Sequence, residues 1–230
     1  MSMEILYEDN HVIAVNKPHG MLTQGDDPTR RDGWGRHGDT NLMDEVKAFI
    51  KSRDAKPGNV FIGLLHRLDR PVGGVVLFAK TSKGASRLSE QFRARHIEKL
   101  YWAVVEGVPE KPSGDVIQWL HKDEAKNLVT IYDEEVPGSQ RAELSYRVRK
   151  SMNGLSLIEV RPRTGRPHQI RVAMMSLGTP IVGDVKYGAK KKMDFDIALF
   201  ARQLAFDQAI TKQRIRVIAE PTLAIFQQFD

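Results

Sequence analysis

The stretch "LLHRLDRPVGGVVLFAK", residues 64–80, decides how the rest of the chain is interpreted. Its end, GVVLFAK, is an apolar run bounded by Gly and Lys, which is typical of a strand that is covered on both faces. Asp69 is the only acid in the stretch and lies between Arg67 and Arg70. If this part is extended, Arg67 and Asp69 point to one face, about 6–7 Å apart. The stretch therefore predicts a buried strand preceded by an extended, charged segment.

Residue types alone leave two interpretations of Asp69 open. The carboxylate can pair with an arginine and pin a turn, and the spacing alone favours this structural pair. An aspartate is also ionised at neutral pH, and such a carboxylate is a usable nucleophile when it is positioned and kept dry. Gly73 and Gly74 follow it and permit close approach of the backbone to a ligand or to another strand.

Length and net charge limit the number of domains and the kind of partner that this chain can have. The chain has 230 residues, which suits one large domain or two small ones. Lys and Arg number 35 against 29 Asp and Glu, so the net charge of +6 favours an anionic partner, with nucleic acid ahead of membrane. The chain start lacks the long apolar stretch of a secretory signal, and no window is long enough for a membrane span. We expect a soluble, cytoplasmic protein.

Several chemistries are excluded by missing residues. The chain has no cysteine, which excludes disulfides, thiolate metal sites and a cysteine nucleophile. None of the 7 histidines pairs with another at zinc spacing. The sequence also lacks the phosphate-binding Walker loop and the Gly-x-Ser-x-Gly elbow.

The remaining patterns predict a chain dominated by strands with scattered helices. Two short strands are expected around the turn signal Asp9-Asn10, and Asn153-Gly154 predicts a hairpin. Residues 23–40 are rich in Gly, Asp and Arg and predict a long loop. Helices are predicted after an N-cap at Thr40, after an N-cap at Thr81 or Ser82, and from a first turn at Pro167 to Gly178. The expected class is α+β with a largely antiparallel sheet.

Two further stretches carry groups capable of chemistry. Arg161, Arg163, Arg166 and Arg171 crowd one strand–turn–helix segment, and they indicate either a solvated basic face or an anion site. Tyr101 lies inside an apolar strand, "EKLYWAVVEG". A buried phenol usually finds a hydrogen bond, but beside a reactive site it can stack on a base or move a proton.

Taken together, these blocks resemble the RNA pseudouridine synthases of the RluA type. "HRLDRPVGGVVLFAK" resembles the signature block of that family, and "VNKPHGM" resembles its first block. "EKLYWAVVEG", "RTGRPHQIRV" and "GTPIVGDVKYG" resemble the later blocks, in order and at plausible spacing. The match runs from about residue 4 to residue 206, and the signature block together with "TGRPHQIR" is highly specific.

The resemblance implies an isomerase that converts specific uridines of tRNA or rRNA to pseudouridine. Asp69 aligns with the aspartate nucleophile, Tyr101 with the tyrosine that stacks on the target base, and Arg171 with the basic residue that pairs with the aspartate. The uridine is expected to be flipped out of its stack. No metal and no organic cofactor is implied. The expected RNA-binding residues are Arg67, Arg163, Arg166, His168 and Lys17.

The resemblance also implies the pseudouridine synthase fold, a mixed, mostly antiparallel sheet in two halves with a central cleft. Because the first block begins almost at the N-terminus, residues 1–230 are expected to form a single catalytic domain without a separate N-terminal RNA-binding domain. The protein is expected to be a monomer with no obligatory protein partner. RNA recognition would then fall to the catalytic domain, with residues 23–40 and the basic segments as candidates.

Two departures from the family keep an alternative open. Val72-Gly73-Gly74 stands where relatives often have Thr-Ser-Gly, and Ala173 stands where they often have His, and both departures concern the positioning of the substrate. The departures at Val72 and Gly73 motivate a non-catalytic RNA-binding protein or RNA folding helper built on the same fold. A carboxylate-dependent hydrolase of a nucleoside or sugar is a weaker alternative, because it needs a second positioned acid that residues 64–80 do not offer.

Overall fold

The computed structural model describes residues 3–25, 40–55, 57–194 and 196–229. The elements in chain order are β1 (Ile5–Glu8), β2 (Val12–Lys17), α1 (Leu42–Arg53), β3 (Gly63–Leu64), β4 (Gly73–Ala79), α2 (Ser82–Arg93), β5 (Glu98–Glu106), β6 (Ser113–Asp123), β7 (Leu128–Tyr132), β8 (Gln140–Met152), β9 (Leu155–Pro162), α3 (Gln169–Ser176), a 3-10 helix (Val185–Tyr187), β10 (Leu199–Asp207), β11 (Arg214–Ile218) and α4 (Ala224–Gln227). They belong to two compact units, Met1–Glu98 with Gln203–Glu220 and Lys99–Arg202 with Pro221–Asp230.

The first unit is built on antiparallel strands. β2 pairs with β1 on one side and with β4 on the other, and the short β3 also pairs with β4. Residues 203–207 of β10 pair antiparallel with β11 in the same unit. Every residue of β4 is buried, as the apolar run in residues 64–80 predicts. The core strand therefore begins immediately after the segment that carries Asp69.

The second unit is a meander of longer strands. Its strand order is β5-β9-β8-β6-β7, and each neighbouring pair is antiparallel. The short helix α3 packs on one face of β6, β7 and β8, where Leu120, Val129 and Ala142 share a buried cluster with Val172. The predicted α+β class with mostly antiparallel pairing is confirmed in both units.

Several junctions lie where the sequence predicts them. The strands β1 and β2 meet at Asp9-Asn10, and Asn153-Gly154 joins β8 to β9. The hydroxyl of Thr81 accepts a hydrogen bond from the Gly84 amide and caps α2. At Gly178 the α3 helix ends with the paired backbone bonds that terminate many helices.

Other elements differ from the sequence-based predictions. The N-cap of α1 is Asn41 rather than Thr40, because the Asn41 side chain accepts from the Asp44 amide. The α3 helix begins at Gln169, two residues later than the predicted Pro167 turn, since His168 adopts a left-handed conformation with φ 51°. The strands β6 and β7 were not predicted.

Most of the predicted loop at residues 23–40 lies outside the described residues, which omit 26–39. Across the part of the chain that the structure describes, none of the helices is long and apolar enough to cross a membrane.

Candidate active site

Asp69 begins a tight turn in the first unit. Its carbonyl accepts a hydrogen bond from the Val72 amide at 3.0 Å, and the turn leads directly into β4. Regular strand structure ends at Leu64 and resumes at Gly73, so Asp69 lies in the connection between β3 and β4. The residue Asp69 is half-buried.

Lys17 holds one side of this turn. Its ammonium donates to the carbonyls of Pro18 at 3.0 Å, Met21 at 2.6 Å and Arg70 at 3.2 Å. In turn, the Arg70 side chain donates through Nε to the Gly20 carbonyl at 3.0 Å. Because Lys17 is 0% exposed, these contacts assign it a positioning role, and its burial does not favour the predicted direct contact with RNA.

The other side of the turn is held by Thr23. Its hydroxyl donates to the Leu68 carbonyl at 2.9 Å and accepts from the Leu68 amide at 3.1 Å. Both chain neighbours of Asp69 are thus fixed through their backbones by the segment 17–23. The imidazole of His19, in the same segment, lies against Gly73, since a Cβ added there would come within 2.5 Å of the ring.

His66 anchors the approach to Asp69. Its Nε2 accepts a hydrogen bond from the Leu77 amide at 3.0 Å, and its ring stacks on Phe92 with centroids 5.1 Å apart. Accepting from an amide requires the lone pair of a neutral imidazole on Nε2. His66 is therefore tied to β4 and α2, which fixes the start of the segment.

Tyr101 lies in the second unit on β5. It stands opposite Val160 of β9, which in turn stands opposite Tyr146 of β8. Side chains alternate along a strand, so Ala142, four residues before Tyr146, shares this face. Ala142 packs in the cluster that includes Val172 of α3. The structure thus places Tyr101 on the face of the second unit's sheet that carries α3 and Arg171.

Gln169 braces the connection from β9 to α3. Its Nε2 donates to the Glu143 carbonyl at 2.9 Å. Its Oε1 accepts from the Thr164 hydroxyl at 2.7 Å and from the Arg166 amide at 3.0 Å. This single amide satisfies three partners and fixes the start of the helix that carries Arg171.

Arg171 is held by an aspartate that the sequence analysis did not single out. Its Nε donates to Asp184 Oδ2 at 2.7 Å and its Nη2 donates to Oδ1 at 2.7 Å. The two side chains are 8% and 1% exposed. The available signal was the single acid of the block "GTPIVGDVKYG". The expectation that Arg171 pairs with Asp69 stays a prediction.

His168 and Tyr187 complete this buried cluster. The guanidinium of Arg171 lies 5.0 Å from the centroid of the Tyr187 ring. The Tyr187 hydroxyl lies 2.6 Å from His168 Nδ1 and accepts from the Val129 amide at 3.0 Å. His168, a predicted RNA-binding residue, is 9% exposed, and its Nδ1 is hydrogen-bonded to the Tyr187 hydroxyl.

The remaining predicted RNA-binding residues lie at the surface or near it. Arg67 is exposed. Arg163 is also exposed and lies 3.3 Å from Asp115 in an ion pair. The Arg166 Nε donates to the Arg141 carbonyl at 3.1 Å, which holds the side chain over β8. Exposed guanidiniums of this kind are available to phosphates.

A metal site would require several ligating side chains to converge within residues 3–25, 40–55, 57–194 and 196–229. Within those ranges, no group of three or more His, Cys, Asp or Glu side chains lies close enough together to hold an ion.

Comparisons with known proteins identify the family of this chain. The family described as RNA pseudouridylate synthase matches residues 11–176. The chain is 34% identical to tRNA pseudouridine synthase C of Haemophilus ducreyi, over 100% of this chain and 96% of that protein. It is also 34% identical to ribosomal large subunit pseudouridine synthase C of Rickettsia bellii, over 85% of this chain, and the match spans 60% of that protein's length.

A solved structure supports the fold. The structure of human RNA pseudouridylate synthase domain containing 4 superposes with a TM-score of 0.75 at 24% identity and covers 95% of this chain and 89% of the human one. Both blocks that carry Asp69 and Tyr101 fall inside the matched range of 11–176. The chain therefore belongs to the RNA pseudouridylate synthase family.

Proposed function

We propose that this protein isomerises uridine to pseudouridine in RNA, with Asp69 as the nucleophile. The observation that carries the proposal is the position of Asp69 in the matched family range, at the head of a turn whose two neighbouring residues are held by their backbones. Positioning of this kind is what a carboxylate nucleophile requires. A half-buried carboxylate also loses less of its reactivity to water than an exposed one does.

The reaction is an exchange of bonds within one nucleotide. The bond between the sugar C1′ and the base N1 breaks, the base turns, and C1′ bonds to C5 of the same base. The proton on C5 leaves and N1 gains a proton, so atoms and charge balance. Asp69 attacks either the sugar or the base ring in this scheme and is released when the new bond has formed.

Tyr101 and Arg171 are proposed to complete the chemistry. Tyr101 stacks on the base and is a candidate acceptor for the C5 proton. Arg171 supplies a fixed positive charge at the reaction. A uridine inside a helix is out of reach of any side chain, so the target must be flipped out, which is least costly in a loop or bulge.

The proposed substrate is tRNA or ribosomal RNA. Relatives of this chain carry both substrates in their names, a tRNA synthase in Haemophilus ducreyi and a large-subunit rRNA synthase in Rickettsia bellii. Arg67, Arg163 and Arg166 are proposed to contact phosphates, and the net charge of +6 supports an RNA partner. We propose that the protein acts in the cytoplasm as a monomer.

Tritium release tests this proposal directly. RNA pools transcribed with uridine tritiated at C5 are incubated with the wild type, with Asp69→Asn and with Asp133→Asn, an exposed aspartate outside the proposed site. We expect the wild type and Asp133→Asn to release tritium alike, and Asp69→Asn to be slower by more than about a thousandfold. Release that persists in Asp69→Asn would refute the nucleophile. A wild type that binds RNA but releases no tritium from any pool would favour the RNA folding helper.

A further inference from the structure

Asp184 is a buried charged partner of the proposed catalytic arginine. We propose that Asp184 is a positioning residue for the reaction, which fixes the guanidinium of Arg171 in orientation and charge. This inference rests on the proposed function and deepens it. Asp184 is 1% exposed, so its effect on an RNA substrate has to pass through Arg171.

The geometry of the pair fixes the orientation of the guanidinium. Arg171 donates through Nε and Nη2 to the two oxygens of Asp184, each at 2.7 Å. Two parallel hydrogen bonds to one carboxylate define the plane of the guanidinium as well as its distance. The opposite edge of the group, with Nη1, is thereby directed away from Asp184 in one defined direction.

The aromatic ring of Tyr187 covers one face of the Arg171 guanidinium and limits its movement in that direction. The Arg171 guanidinium lies 5.0 Å from the ring centroid, within the range of a cation–π contact. The ring cannot slide, because its hydroxyl is bonded to both His168 Nδ1 at 2.6 Å and the Val129 amide at 3.0 Å. Arg171 is therefore held along one edge by a carboxylate and over one face by an anchored ring.

Asp184 is itself rigidly placed. Its carbonyl accepts from the amides of Tyr187 at 2.9 Å and Ala189 at 3.1 Å. The preceding Gly183 adopts φ 88°, and a Cβ there would lie 2.5 Å from the Asp196 carbonyl. The chain can therefore approach this closely only with glycine at 183, which fixes the backbone where Asp184 begins.

Such rigidity matters at the reacting centre rather than in RNA binding. A charge that is already oriented needs no rearrangement when the reaction begins, and displacement of about 1 Å can cost about 100-fold in rate. The contacts with the phosphate backbone are proposed for Arg67, Arg163 and Arg166, whereas the side chain of Asp184 is bonded to Arg171. The proposal therefore predicts a loss in the chemical step with RNA affinity unchanged.

The test separates rate from affinity. Single-turnover tritium release at saturating RNA and the RNA Kd are measured for the wild type, Asp184→Asn, Asp184→Glu and Asp9→Asn. Asp9 is a hydrogen-bonded acid of the first unit that takes no part in the proposed site. We expect Asp184→Asn to lower the rate about 100-fold and Asp184→Glu about 10-fold, with Kd within about threefold. Asp9→Asn should keep the rate within about twofold, because its effect is confined to stability.

An NMR measurement detects the Arg171–Asp184 ion pair independently of any activity assay. The Nε–H resonance of Arg171, assigned from its loss in Arg171→Lys, should be present and slow to exchange in the wild type and in Asp9→Asn, and absent in Asp184→Asn. If Asp184→Asn does not fold, Asp184→Glu decides the case through its rate. A rate within about threefold of the wild type in the folded variants, or a loss that lies wholly in Kd, would overturn the proposal.

The two possible failures can be told apart. If the wild type releases no tritium from any RNA, the proposed function fails and the positioning role falls with it, while the resonance still reports the ion pair. If the wild type is active and Asp184→Asn is equally active, the function stands and the inference about Asp184 is wrong.

Discussion

Gly73 and His19 form a matched pair beside the Asp69 turn. A Cβ at Gly73 would lie 2.5 Å from both Cε1 and Nδ1 of His19, so the imidazole occupies the space of a side chain. The next residue, Gly74, adopts φ 117° and pairs with Lys17 of β2. The two glycines therefore serve different needs, close packing at 73 and a left-handed backbone at 74.

This packing gives a residue-scale prediction. Gly73→Ala should lower the free energy of unfolding by about 1–3 kcal/mol, because the new methyl group displaces the His19 ring. The double variant with His19→Ala should recover most of that loss. Urea denaturation measures both, with Gly58→Ala as the control, since a Cβ at Gly58 meets nothing within 4 Å. A single variant as stable as the wild type would show that the ring moves aside freely.

At the residue scale, the sequence predicted which side chains belong to the candidate site better than it predicted which residues they bind. The blocks around Asp69, Tyr101 and Arg171 were identified from their order along the chain. Asp184 was not, because its ion pair with Arg171 spans 13 positions that leave no periodic pattern. The sequence block that contains Lys17 was recognised, but the burial of its side chain was not. That burial arises from hydrogen bonds to backbone carbonyls, which form only in the folded turn.

The β9–α3 connection gives an element-scale prediction. Gln169→Leu keeps the size of the side chain but leaves the Thr164 hydroxyl, the Arg166 amide and the Glu143 carbonyl without this partner. We expect the free energy of unfolding to fall by about 2–3 kcal/mol, because buried polar groups lose their bonds. Urea denaturation is the measurement.

The matched control for that variant is Gln118→Leu. Its amide donates to the Ser176 hydroxyl at 2.7 Å in an exposed position, where water can replace it. The control should change stability by less than about 1 kcal/mol. Equal effects of the two substitutions would contradict the assignment of Gln169 as the brace of α3.

At the element scale, strong local signals were sufficient and weak ones were not. The Asn153-Gly154 turn and the buried run of β4 were recognisable from a few residues. The strands β6 and β7 were missed because burial is intermittent along them, as in the 11-residue pattern of β6 with only Val116 and Leu120 buried. Their pairing depends on long-range contacts with β8 and α3, which a local pattern does not contain.

For the molecule as a whole, the hydrogen bonds accepted by the Asp9 carboxylate make the stability of the first unit depend on pH in the acid range. Burial raises the pKa of Asp9, but hydrogen bonds from the Gln208 side chain, the amides of His11 and Val12 and the Tyr7 hydroxyl outweigh it, so the pKa lies below its usual value of 3.8. These bonds tie the β1–β2 turn to the segment that follows β10. The ionised form is therefore favoured by folding.

The sign of the pH dependence follows from that lowered pKa. Because the carboxylate is more acidic in the folded state, its contribution is complete above the unfolded pKa of about 4 and is lost as pH falls through the folded value. Asp9→Asn should lower stability at pH 7 by about 1–2 kcal/mol and flatten the decline between about pH 5 and pH 3. Tyr7→Phe removes only the 3.2 Å bond and should have a smaller effect. Denaturation curves across pH that decline equally in the wild type and Asp9→Asn would contradict this role.

For the whole molecule, the central proposal is that Asp69 acts on uridine in cellular RNA. Position-resolved pseudouridine mapping tests it most directly, in cells that lack this chain and carry wild type, Asp69→Asn or Asp133→Asn in its place. We expect at least one pseudouridine to disappear without the chain, to return with the wild type and with Asp133→Asn, and to stay absent with Asp69→Asn. A map that does not change when the chain is removed, or that Asp69→Asn restores, would contradict the account.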